Sequence, residues 1–166
     1  MNPLWTYFWP VLWAGLLIGV IGGLFAFDHR PRRLAPIAIA LASTLALAAL
    51  WHGPLGAAER FAGTIERQAR ESLDYYEMPQ VTAHLHHGPL TRRLILSGPA
   101  DDFQTSELAR LLSQLPGVSR ATWSNGDAGM PLLAEAGFAA IAGFLVGLLL
   151  AYLMELRRRY NAQWTW

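Results

Sequence analysis

The sequence predicts a membrane protein of α+β class: three transmembrane helices, with a small αββαβ module inserted between the second and the third. Three observations carry that expectation. Of 166 residues, 53% are hydrophobic and only 15% are charged, a balance unlike that of most soluble domains. Three apolar runs are each long enough to cross a hydrocarbon core of about 30 Å at a rise of about 1.5 Å per residue. Between the second and third runs lies one polar segment, Phe61 to Trp123, whose apolar residues recur at the spacings of short helices and half-buried strands.

Composition also narrows the function classes. The net charge is +1 and no basic run dominates the polar segment, which argues against nucleic acid as a partner. Cysteine is absent, which removes disulfides, thiolate metal sites and thiol nucleophiles. All 13 basic residues are arginine, read here as a coding bias rather than as chemistry.

Residues 1–27 form the first expected span. Trp5, Tyr7, Trp9 and Trp13 crowd its start, where an aromatic belt sits at a membrane–water boundary. Pro10 is assigned to the first turns, where its missing N–H costs little. No basic side chain precedes the run, so a retained span fits better than a cleaved signal peptide. Residues 34–55 form the second span, with Pro36 in its first turn and Trp51-His52-Gly53-Pro54 at its end. Residues 131–154 form the third, followed by a tail over 155–166. Tyr152, Tyr160, Trp164 and Trp166 make a second aromatic group there.

Arginine placement sets the orientation. Arg30, Arg32 and Arg33 fill the short loop 28–33, and Arg157, Arg158 and Arg159 open the tail. Both clusters belong on the cytoplasmic side by the positive-inside bias, where they also suit anionic lipid headgroups. The N-terminus and segment 57–126 then lie outside. In a bacterium with two membranes this is a multi-pass protein of the inner (cytoplasmic) membrane with a periplasmic central domain.

Small residues stripe the spans. Gly15, Gly19 and Gly23 mark the first; Ala38, Ala42 and Ala46 the second; Ala139, Gly143, Gly147 and Ala151 the third. In lipid such stripes let helix backbones approach closely. They serve either packing within the chain or contact with another subunit.

The polar segment reads in order. Phe61, Ile65, Ala69, Leu73 and Tyr76 make one face of an amphipathic helix that stops before Met78-Pro79. One of Tyr75 and Tyr76 is expected to pack and the other to face water. Val81 to His86 alternates as a strand, Gly88-Pro89 turns the chain, and Leu94-Ile95-Leu96 is a second strand. Asp101 with Gln104 forms a capping box for a helix carrying Leu108, Leu111, Leu112 and Leu115. Pro116-Gly117 ends it, and Val118 to Trp123 is the third strand.

This helix–strand–strand–helix–strand order, with Leu94-Ile95-Leu96-Ser97-Gly98 before the second helix and Pro116-Gly117-Val118 after it, resembles a BON domain, the bacterial osmotic-stress and nodulation family. The similarity covers about residues 61–123 and none of the spans. It implies an envelope-associated, non-enzymatic module that binds phospholipid surfaces or other proteins.

Few residues suggest chemistry. His84 and His86 lie two apart on one strand face, with His87 on the other, and are the candidate metal ligands. No acid is placed beside them by sequence, so a solvated strand face is preferred. Glu135 falls a turn after Pro131, an interfacial position; Asp28 and Glu155 lie at helix ends beside arginines. Asp101 and Asp102 are explained by capping. Ser97 and Ser113 have no nucleophile motif around them, and no glycine-rich phosphate loop is present.

The expectation is therefore of no catalytic residue and no cofactor. The chain reads as a non-catalytic accessory or assembly subunit of a larger membrane complex, photosynthetic or respiratory, whose partners are the lipid bilayer, other membrane subunits or further copies of itself. The alternative is an envelope tether or stress protein whose module binds phospholipid or cell-wall components.

Overall fold

The computed structural model describes residues 2–28, 34–124 and 129–162. Its elements are α1 (Pro3–Asp28), α2 (Leu34–His52), α3 (Ala57–Tyr75), β1 (Thr82–His87), β2 (Leu90–Ser97), α4 (Asp102–Leu112), β3 (Arg120–Thr122) and α5 (Leu132–Ala162). Pro3–Phe27 of α1, all of α2 and all of α5 are long and apolar enough to cross a membrane. The chain divides into two compact units, Met1–Tyr7 with Leu55–Glu135 and Phe8–Pro54 with Ala136–Trp166.

In the helical unit, α1, α2 and α5 meet where Val11, Ala48 and Ala140 are buried together, with Trp51 packed against them. The closest approach is between α1 and α5. A Cβ added at Gly15 would collide with the carbonyl of Ala140, and one at Gly19 with that of Phe144. From the other side, Gly143 and Gly147 face the carbonyls of Leu12 and Leu16. Backbone therefore lies on backbone, a separation that only residues without side chains permit. Gly23 continues the line against Ala151, while Gly22 meets Ala40 of α2.

Several expectations change in this unit. The buried line of α2 is Ala40, Thr44 and Ala48, whereas Ala38, Ala42 and Ala46 are exposed. On α5 the buried line passes through Ala136, Ala140, Gly143, Gly147 and Ala151, and Ala139 is only partly covered. On α5 the step of three from Ala140 to Gly143 offsets the drift of about 40° that each interval of four accumulates on a helix of 3.6 residues per turn. Pro10 lies inside α1 rather than at its start, which Asn2 caps through its side chain to the Leu4 N–H at 3.0 Å. The second span ends at His52, and α5 runs on past residue 154, through the arginine triplet to Ala162.

The other unit is built on a three-stranded sheet of order β1-β2-β3. β1 and β2 are antiparallel, with His84 opposite Ile95, and β3 runs parallel to β2, with Ala121 opposite Leu94. Ala83, Leu85, Leu94, Leu96 and Ala121 are buried on one face. α3 packs on β1 and α4 on β3. The buried stripe of α3 is Ala57, Phe61, Ala62, Ile65, Ala69 and Leu73, and α4 contributes Leu108 and Leu112. Each fully buried leucine or isoleucine side chain here is worth about 1.5–3 kcal/mol of transfer free energy.

Ends and turns are specified locally. α3 closes in a Schellman motif: the Glu77 N–H donates to the Asp74 carbonyl at 3.1 Å and the Met78 N–H to that of Leu73 at 2.9 Å. Glu77 holds the left-handed position at φ 57, where glycine is usual. Asp101 caps α4 by accepting from the Gln104 N–H at 2.7 Å, and the Gln104 side chain accepts from the Asp101 N–H at 3.1 Å. Gly98, at φ 134, lies where a Cβ would run into the Gln80 carbonyl.

The start of α1 belongs to this unit. Tyr7 is 2% exposed, and its ring packs at a tilt of 52° against Phe61 with centroids 5.4 Å apart. It is therefore a core residue and not part of an aromatic belt, in contrast to Trp5, Trp9 and Trp13, which are exposed. Tyr75 and Tyr76 are both exposed, at 80% and 45%, so neither packs as expected.

Candidate functional site

The two histidines singled out on β1 do not act as a pair. A bulge between Leu85 and His87 interrupts the strand's alternation and carries His87, not His86, to the side of His84. Glu66 of α3 is the shared neighbour. Its Oε1 lies 3.8 Å from His84 Nδ1 and 3.4 Å from His87 Nε2, and accepts the Leu85 N–H at 2.9 Å. The ring of His86 instead meets the Pro89 carbonyl at 2.9 Å. Among the described residues no three His, Cys, Asp or Glu side chains are grouped to hold a metal ion. The sequence pattern missed Glu66 because it lies 19 positions from Leu85, and missed His87 because a bulge leaves no period of its own.

Two arginines of β2 have structural partners. Arg92 pairs with Glu135 in the first turn of α5, Nε to Oε2 at 2.8 Å, with both side chains largely covered. Arg93 is 6% exposed; it donates through Nε to Thr122 Oγ1 at 2.9 Å and through its terminal nitrogen to the Ser124 carbonyl. These contacts tie the chain leaving β3 to the central strand. Thr91 adds an isolated bridge to Pro131.

The remaining predicted residues are placed as follows. Arg158 and Arg159 both bind Glu155, at 2.8 and 2.6 Å, and Arg157 is exposed beside them. Arg30, Arg32 and Arg33 lie outside the described residues, as do Trp164 and Trp166. Gly15, Gly19, Gly143 and Gly147 lie in the α1–α5 contact, with Gly23 against Ala151 at its end. α2 differs. Its face through Ala35, Ala38, Ala42, Ala46 and Ala49 is small and left exposed by the other described residues.

No protein-family model matches the chain, and neither a curated protein nor a solved structure shows significant similarity to it.

Proposed function

We propose that this protein is a non-catalytic accessory or assembly subunit of a larger complex in the bacterial inner membrane, with its sheet-bearing module on the periplasmic side. The observation that carries this reading is the uncovered small-residue face of α2. The glycine lines of α1 and α5 are used up on each other, so close approach by a further helix falls to Ala38, Ala42 and Ala46. Lipid gains nothing from a face of bare alanines, whereas a neighbouring helix gains backbone proximity and dispersion contacts. The topology rests on the arginine clusters and the positive-inside bias. In this reading the module of order α3-β1-β2-α4-β3 is BON-like, by the sequence resemblance alone, and its role is contact with partner proteins.

Purification in mild detergent followed by native mass spectrometry tests this. A stoichiometric partner is expected to co-purify with the wild-type chain and to be lost from Ala42→Leu, while the folded variant stays in the membrane. Recovery of the wild type as a free monomer only would overturn the assignment. Retention of liposomes through the module, with no protein partner, would favour the tether.

A further inference from the structure

The module carries a cleft with unmet hydrogen-bonding capacity. It is a largely open depression of about 350 Å³ between the second half of α3 and the segment after α4, with Leu115 and Pro116 as one wall. α3 supplies Gln68, Glu71 and Ser72, and the two exposed tyrosines, Tyr75 and Tyr76, complete the lining.

The polar groups here differ in cover: Gln68 and Ser72 are half-buried, whereas Glu71 and both tyrosines are exposed. Gln68 Oε1 is buried and accepts no hydrogen bond from the described residues. Buried polar atoms in native proteins are rarely left so, and an exception calls for a water, an ion or another polar partner. Ser72 spends its hydroxyl proton on the Gln68 backbone carbonyl at 2.9 Å, so its lone pairs remain. Glu71 has no ion-pair partner among the described residues. Arg110, which interacts electrostatically with Tyr76, is already held by Glu107 at 2.7 Å, and that hydrogen bond raises its pKa above the ordinary arginine value.

The rings narrow the ligand. Tyr75 and Tyr76 stand nearly perpendicular, 83° apart with centroids at 5.2 Å, so they offer π faces in two directions. Perpendicular aromatic faces beside a carboxylate favour a cation. A quaternary ammonium has no proton for Gln68 Oε1. A guanidinium has five N–H donors in a plane, stacks on an aromatic ring, and reaches an amide oxygen and a carboxylate together.

We propose that this cleft is a docking site for an arginine side chain of a partner polypeptide. With the Gln68 amide turned outward to meet it, the guanidinium donates to Oε1 and to the Glu71 carboxylate while it stacks on the tyrosine pair. The proposal rests on the subunit reading for the source of the arginine, but the cleft can be tested apart from it.

The probe is N-acetyl-arginine methylamide, titrated against the full chain in nanodiscs and followed by saturation-transfer NMR. Saturable binding is expected, weakened about tenfold or more in Glu71→Gln, in Gln68→Met and in Tyr76→Leu, a loss corresponding to about 1.4 kcal/mol each. Gln68→Met removes an orphan acceptor, so its thermal midpoint should stay at or above that of the wild type while binding falls. Equal binding of the lysine analogue would overturn the guanidinium assignment. Binding of N-acetylglucosamine or phosphoethanolamine in place of the arginine probe would overturn the proposal in favour of a glycan or a lipid headgroup. No binding of any probe would overturn it as well, and leaves the co-purification test of the subunit reading standing on its own.

Discussion

Glu135 in the first turn of α5 and Arg92 in the middle of β2 are 43 residues apart in sequence, yet the carboxylate grips the guanidinium through both oxygens, at 2.8 and 3.1 Å. With side chains only 26% and 19% exposed, this pair fastens the start of a long apolar helix to the central strand of the sheet. Removing one partner strands a half-covered charge, so Glu135→Leu or Arg92→Leu alone should cost about 2 kcal/mol, less than a fully buried pair. The double variant should recover part of that loss. Thermal melts in mild detergent give the coupling energy, and a value indistinguishable from zero would show the pair to be ornamental.

The α1–α5 contact predicts opposite signs for one substitution. Gly137 has open space around it, so Gly137→Ala should stabilise α5 by about 0.5–1 kcal/mol through helix propensity alone. Gly143→Ala carries the same propensity gain but drives a methyl into the Leu12 carbonyl. Overpacking of that kind costs about 1–3 kcal/mol, so the net should be a lower thermal midpoint. Two midpoints moving in the same direction would refute the backbone contact.

Glu77 occupies a left-handed position that costs an ordinary residue about 1–2 kcal/mol. Glu77→Gly should therefore stabilise the module by about 1 kcal/mol. Glu77→Ala retains the Cβ and should gain little, which separates backbone strain from charge. Denaturant midpoints of the three chains decide it.

At the start of α4, Asp101→Ala removes the acceptor for the Gln104 N–H and should cost about 1 kcal/mol. The loss should be local, read as faster hydrogen exchange at the amide of Gln104. Asp101→Asn keeps an acceptor oxygen and should restore most of the protection. Unchanged exchange in the alanine variant would mean that the cap holds nothing.

Much was legible from sequence where local rules suffice. Apolar run length located α1, α2 and α5, a period of 3.6 located α3, and the Asp101–Gln104 interval located the cap, because each is set by residues within a few turns of one another. Non-local choices were not legible. Which small residues of α2 are covered depends on how its neighbours approach, and Ala40, Thr44 and Ala48 differ from Ala38, Ala42 and Ala46 only in that. Tyr7 looked like its exposed neighbours Trp5 and Trp9 until Phe61, distant in sequence, was brought beneath it.

By itself the sequence determined that three segments prefer lipid to water and that one polar segment can bury a single face, since transfer free energy follows composition and period. Only the tertiary structure decided that a bulge sends His87 rather than His86 toward Glu66, that Arg92 meets Glu135, and that the Gln68 side-chain oxygen is buried with no hydrogen-bond partner among the described residues. Those outcomes depend on chain segments folding back on one another, and no period or propensity encodes which side chains then meet.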